Sequence, residues 1–157
     1  MQSHAEASFN LESNQIGLPW SAVEHLVDFI KVQFQDSLYI PERVVALGKG
    51  AVVPARLLAS EGTLMFYEGI KSYKGEFDQG EINNYQKIPY MPELNRPDTL
   101  IVDDLWDTGT TFRYAKRLWP MATYCALISK QPAEDTFLDY IGMIFPTTMW
   151  FVMPWER

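Results

Sequence analysis

Apolar positions recur along this chain in two rhythms, and the switches between them lay out its elements. Ser21-Ala22-Val23-Glu24 has capping-box spacing, and Val23, Leu26, Val27, Ile30 and Phe34 then fall at helical intervals, which predicts a helix burying one stripe. Arg43-Val44-Val45-Ala46-Leu47 is a short apolar, β-branched run. It stops at Gly48-Lys49-Gly50-Ala51, after which residues 52–60 predict a helix ending before Gly62. Residues 64–73 read as a second strand, interrupted at Gly69. From 74 to 98 the chain is polar and broken by Gly75, Gly80, Pro89, Pro92 and Pro97. That is long for a connection inside a compact domain and marks a mobile functional loop or a disordered segment. Thr99-Leu100-Ile101-Val102 predicts a buried strand, 103–111 a turn, 112–119 a helix closed by Pro120, and 124–129 another strand. The aromatic stretch 137–153 predicts further strands, whereas residues 1–17 lack periodicity and read as a tail or a cover segment. Strands alternating with helices point to an α/β fold with a mostly parallel central sheet, whose ligands sit at the carboxyl ends of the strands.

The length of 157 residues suits one domain over the whole chain. With 47% hydrophobic and 21% charged residues, disorder is excluded. Thirteen Lys+Arg against 20 Asp+Glu give a net charge of −7, which argues against nucleic acid or anionic lipid as partner but not against a small anion held by local groups. The single cysteine, Cys125, lies in the apolar run Tyr124-Cys125-Ala126-Leu127-Ile128 and is expected to be a buried structural thiol in a reducing compartment. No basic, apolar leader opens the chain and no apolar run approaches the ~20 residues of a membrane span, so a cytoplasmic protein is expected. His4 and His25, with one cysteine, make no transition-metal set.

Chemistry concentrates in Leu100-Ile101-Val102-Asp103-Asp104-Leu105-Trp106-Asp107-Thr108-Gly109-Thr110-Thr111. An apolar strand delivers two adjacent carboxylates, a third follows, and a glycine and hydroxyl run opens the next helix. Successive strand residues face opposite ways, so Asp103 and Asp104 need not share one task. Carboxylates here suit sugar hydroxyls or a hydrated Mg²⁺, and Thr108 to Thr111 offer N–H groups and hydroxyls at a helix N-terminus, a natural phosphate seat. An Asp pair after a strand also occurs in phosphoacceptor receivers, but neither 43–47 nor 124–129 is followed by the separate Asp that a receiver needs. Gly48-Lys49-Gly50-Ala51 is no Walker loop and on its own reads equally as a tight turn. Lys130 alone could be a solvated strand end, and Met149-Trp150-Phe151-Val152-Met153-Pro154-Trp155 alone reads as core.

Taken together, these residues resemble the phosphoribosyl-pyrophosphate motif of the type I phosphoribosyltransferases, and within them the xanthine-guanine purine branch, over most of the chain from Trp20 to Trp155. The resemblance implies a mostly parallel sheet flanked by helices with a small hood, a homo-oligomer (dimer or tetramer), and purine salvage: a 6-oxopurine (guanine, xanthine or hypoxanthine) joined to phosphoribosyl pyrophosphate. It assigns the phosphoribosyl group to Asp103, Asp104, Thr108, Gly109, Thr110 and Thr111, with Mg²⁺ held partly by Asp104. Lys49 and Gly50 fall in the pyrophosphate loop, whose peptide the family often has in the cis form. Asp107 becomes the catalytic acid or base at the purine N7. Lys130 becomes the donor to the purine 6-oxygen, Trp150 with Phe151 the stacking aromatics, and Ser72-Tyr73 the start of a mobile catalytic loop. The family usually has a second glycine where this chain has Thr110, which is tolerable if its φ is negative. Two rivals are a same-fold regulator that binds a nucleotide or RNA without turnover, and an enzyme for adenine or orotate.

Overall fold

The computed structural model describes residues 7–10, 12–68 and 91–156. Its elements are β1 (Ser8–Asn10), β2 (Gln15–Gly17), α1 (Trp20–Asp36), β3 (Arg43–Leu47), α2 (Val52–Leu58, entered through a 3₁₀ turn at Lys49–Ala51), β4 (Leu64–Glu68), β5 (Thr99–Trp106), α3 (Thr110–Leu118), β6 (Thr123–Ser129), β7 (Tyr140–Ile144) and β8 (Trp150–Val152). Strands β4-β3-β5-β6-β7 form one sheet, and every neighbouring pair in it is parallel. A parallel sheet is covered on both faces, and the core divides accordingly. On one face Val44, Ala46, Leu100, Val102, Cys125 and Leu127 pack against Val23, Val27, Ile30 and Phe34 of α1 and Ala55 and Leu58 of α2. On the other, Val45, Leu47, Ile101, Tyr124 and Ala126 meet Phe112 and Ala115 of α3 and Trp119. The stripe predicted for α1 is thus the stripe it buries.

Several boundaries differ from the sequence reading. Ser21 is not the helix cap: α1 begins at Trp20, and Pro19, extended at φ −79°, accepts the amides of Ala22 and Val23 through its carbonyl. Proline's locked φ makes that entry conformation cheap, so the helix starts before the capping-box serine. Residues 103–106 are not turn but strand. Leu105 pairs with Ile128 and Trp106 with Ser129, and burial of Trp106 rewards continuing the ladder past two carboxylates. Helix α3 correspondingly starts at Thr110 rather than 112. The opening segment supplies β1 and β2, and β2 lies parallel to β8 in a separate three-stranded sheet that forms the hood. Ser72, Tyr73 and most of the segment expected to be a mobile loop lie outside the described residues. Its last part, 91–98, is anchored: Leu94 is fully buried, the Trp119 indole donates to the Met91 carbonyl at 2.9 Å, and the Met121 amide donates to Asn95 Oδ1 at 2.8 Å.

The β6 ladder skips a pair on each side of Leu127, opposite Asp104 and opposite Gly142. A Cβ on Gly142 would stand 2.5 Å from the Leu127 carbonyl oxygen and 3.2 Å from Leu26 Cβ of α1. Backbone lies on one side and a packed helix on the other, so neither can give cheaply. Gly142→Ala is expected to lower stability by about 1–3 kcal/mol in chemical denaturation, with an unchanged m-value.

Candidate functional site

Because β3, β4, β5 and β6 run the same way, Leu47, Glu68, Trp106 and Ser129 end side by side, and the segments that follow meet along one edge of the sheet. Asp103 and Asp104 sit inside β5, half-buried, one step below that edge. The Asp104 amide donates to Asp103 Oδ1 at 2.9 Å. Desolvation, joined by the charge of Asp104, holds the Asp103 carboxyl well above the usual carboxylate range. The Asp104 carboxyl also lies against the glycine loop after β3: a Cβ on Gly50 would lie 2.5 Å from Asp104 Oδ2. Gly50 therefore lets one backbone segment approach the acidic pair closely. Lys49 beside it is exposed, and the Lys49–Gly50 peptide is trans. Glu68, which no motif singled out, ends β4 next to Leu47; its carbonyl accepts the Gly48 amide at 2.8 Å, and burial pushes its carboxyl up.

Beyond β5 the chain turns through Asp107, Thr108 and Gly109 into α3. Gly109 has φ +81°, and a Cβ there would also run into the indole of Trp106. This position demands glycine twice over, by backbone conformation and by space. Thr110, by contrast, is the first residue of α3 and needs no special φ. Its hydroxyl lies 2.9 Å from that of Thr108, and Thr111 follows half-buried in the first turn. The arrangement gathers hydroxyls and helix N-terminal amides in one turn, groups that suit an oxyanion.

Opposite this turn, the amide of Lys130 donates to the Trp106 carbonyl at 2.9 Å, which ties the ends of β6 and β5 together. The Lys130 side chain is only 6% exposed, and its Nζ stands 3.5 Å from Asp107 Oδ2. The same ammonium is 6.0 Å from the ring centres of both Trp150 and Phe151. The two aromatics differ in setting: Trp150 is 41% exposed, whereas Phe151 is 3% exposed and packs edge-on to Phe145 in the core. Alternation along β8 produces that contrast, turning Phe151 inward and Trp150 outward. Cys125 is fully buried and its thiol is raised by desolvation, the environment of an inert thiol.

Asp103 and Asp104 offer hard oxygen donors, and among the described residues no three or more His, Cys, Asp or Glu gather into an enclosing metal site. Two carboxylates beside an open glycine loop fit a Mg²⁺ that keeps waters and substrate oxygens in its shell.

Three expectations follow. Gly50→Ala should change stability little, because only a mobile carboxylate must yield, yet displace Asp104; Gly109→Ala should cost at least about 2 kcal/mol, read by the same denaturation curve. Asp103→Asn should raise Tm by roughly 2–4 °C at pH 7. The folded-state affinity of Asp103 for its proton exceeds the unfolded one, so its charged form destabilises as pH rises through the folded-state titration; the gain should shrink towards acid pH.

No family model matches the sequence. Solved structures do. The chain is similar to a purine phosphoribosyltransferase from Pyrococcus horikoshii, with 22% identity and a TM-score of 0.65 over 92% of this chain and 95% of that one. It is similar to a xanthine-guanine-hypoxanthine phosphoribosyltransferase from Helicobacter pylori, with 16% identity and a TM-score of 0.64 over 90% and 94%. A hypothetical protein from Neisseria gonorrhoeae with bound ppGpp matches at 17% identity and a TM-score of 0.65 over 91% and 89%. At these identities the likeness establishes the architecture, and the chain has the type I phosphoribosyltransferase fold.

Proposed function

We propose that the protein transfers the phosphoribosyl group of phosphoribosyl pyrophosphate to a 6-oxopurine, releasing pyrophosphate and the nucleoside monophosphate. The observation that carries this reading is the convergence of Lys130, Asp107 and Trp150, donor, acid–base group and exposed indole, from three different segments at the carboxyl edge of the sheet. The purine stacks on Trp150, while Phe151, turned inward, packs in the core. Lys130 donates to the 6-oxygen, an acceptor that adenine lacks, so a buried donor facing an amine would be left unpaired. Asp107 takes or gives the proton at N7 as the attacking ring nitrogen forms its bond to C1 of the ribose and the bond from C1 to the pyrophosphate oxygen breaks. Asp103 and Asp104 orient the ribose hydroxyls, Thr108 to Thr111 seat the 5′-phosphate, and Lys49 with the Gly50 backbone receives the pyrophosphate. Asp104 would hold Mg²⁺ on the protein side, and the ion would supply charge compensation for the leaving pyrophosphate.

A second reading, nucleotide binding without turnover, is favoured by the neisserial neighbour, which holds ppGpp. Incubation with labelled phosphoribosyl pyrophosphate, Mg²⁺ and a panel of bases separates the two. Turnover with guanine, xanthine or hypoxanthine supports transfer; turnover only with adenine or orotate changes the substrate, and nucleotide binding without turnover of any base selects the second reading.

Within the first reading the two charged residues should fail differently. Asp107→Asn keeps the shape but cannot exchange the proton, so kcat is expected to fall by roughly 10²–10⁴ while phosphoribosyl pyrophosphate still binds. Lys130→Met removes the donor to the 6-oxygen, and discrimination against adenine should weaken with a loss of about 2 kcal/mol in guanine affinity. Full selectivity in Lys130→Met would return Lys130 to a strand terminus.

A further inference from the structure

The acidic edge poses a problem that the motif residues do not solve. Asp103 and Asp104 precede the turn in which a 5′-phosphate would sit, within β5, Asp107 opens it, and Lys130 is already engaged by Asp107. A dianion brought to Thr108–Thr111 therefore comes to a turn that follows an acidic strand end and whose own carboxylate, Asp107, is spent on Lys130, with the partial charge of one helix N-terminus as the positive element there. One cation stands at this turn outside every motif. Arg113 lies in the first turns of α3, its amide bonded to the Gly109 carbonyl at 2.9 Å. Its side chain runs back towards the helix N-terminus, the direction helical side chains favour, and Nη1 donates to the Thr108 carbonyl. The guanidinium is also held 5.5 Å from the centre of the Trp106 ring.

Three features set this arginine apart from an ordinary surface cation. First, no carboxylate within ion-pair distance is found for it among the described residues, in contrast to Arg43, Arg96 and Lys130. Second, one N–H is spent on a backbone carbonyl and the ring fixes the plane, so the remaining donors of an exposed fork are ordered in advance. Third, the edge of the Trp106 indole lying against Gly109 carries Nε1, which is buried and without a hydrogen-bond partner. An unpaired guanidinium beside the turn and an unpartnered N–H beneath it give the turn a positive lining that its acidic neighbours lack.

We infer that Arg113 is a binding residue for the 5′-phosphate, supplying the counter-charge through the free arm of its guanidinium while its other arm braces Thr108. The inference rests on the phosphoribosyl reading of the turn and extends it to a residue that the motif does not include. A role confined to bracing Thr108 would leave the turn's preference for phosphate intact.

The test is calorimetry of guanosine 5′-monophosphate and of guanosine with the full chain, its Arg113→Met and Arg113→Lys variants, at two salt concentrations. The wild type should prefer the monophosphate strongly. Arg113→Met should weaken monophosphate binding about tenfold or more with guanosine unchanged, and its monophosphate affinity should respond less to salt. Arg113→Lys, which keeps the charge but not the fork, should recover part of the loss and the salt response, and it serves where the Met variant unfolds. A monophosphate-to-guanosine ratio in either folded variant equal to wild type, with equal salt response, overturns the inference and leaves Arg113 a brace. A wild type that binds both ligands equally overturns the phosphate assignment of the turn itself, a separate failure.

Discussion

An ammonium that is almost out of water organises the site. The Lys130 side chain is 6% exposed, and a cation so placed is costly unless a counter-charge stands beside it. Asp107 supplies it at 3.5 Å, and the position of Asp107 is in turn fixed by the backbone bond from the Lys130 amide to the Trp106 carbonyl, one residue earlier. The requirement couples the ends of β5 and β6, so the turn that carries the hydroxyls and the strand end that carries the ammonium hold each other in place. Asp107 remains 48% exposed, which keeps its carboxylate reachable from solvent although it is paired. Had both partners been buried, the pair would be a structural clasp; with one exposed, a ligand can enter between them.

Steric limits then set how closely the other segments approach. Gly50 and Gly109 act for different reasons. The first admits the carboxylate of Asp104, and the second carries a left-handed backbone over the indole of Trp106. Trp106 belongs to the core through stacking on Phe112, with ring centres 5.2 Å apart, and edge contact with Phe137. The turn from Asp107 to Gly109 is consequently laid directly on packed aromatic surface, and its shape is inherited from the core beneath it. This is also why β5 runs on to Trp106: the strand must reach its large side chain into that cluster before it can turn.

Local signals made the strand–glycine loop–helix units legible, because Arg43–Leu47 and Leu100-Ile101-Val102 are continuous apolar runs with clear stops. The motif residues were legible for the same reason, being contiguous. What escaped the sequence depends on partners far away in it. The apolar run before Asp103 gives no hint that Leu105 and Trp106 will find Ile128 and Ser129, and the pairing of Gln15 with Trp150 joins the two ends of the chain. Pro19 displaced Ser21 as the helix start because two nearby signals competed and only one could win. That Trp150 faces out while Phe151, next to it, faces in follows only from the pairing of β8. Arg113 could have been noticed from its place four residues after Gly109 on a helix, where a long side chain returns to the N-terminus, but that signal has meaning only once the helix boundary is known.

Thr110 shows how a motif can change without losing its physics. The usual glycine pair asks two positions for unrestricted backbone, yet only Gly109 has a positive φ in this turn, while Thr110 already belongs to α3. A β-branched residue at that first helical position carries a small propensity cost and gains a hydroxyl, here 2.9 Å from that of Thr108. At that distance the two hydroxyls satisfy one another. In a chain with net charge −7 the summed field repels an anion, so the anion binding proposed for this turn would rest on such local groups, and each additional donor there would count for more than on a basic surface.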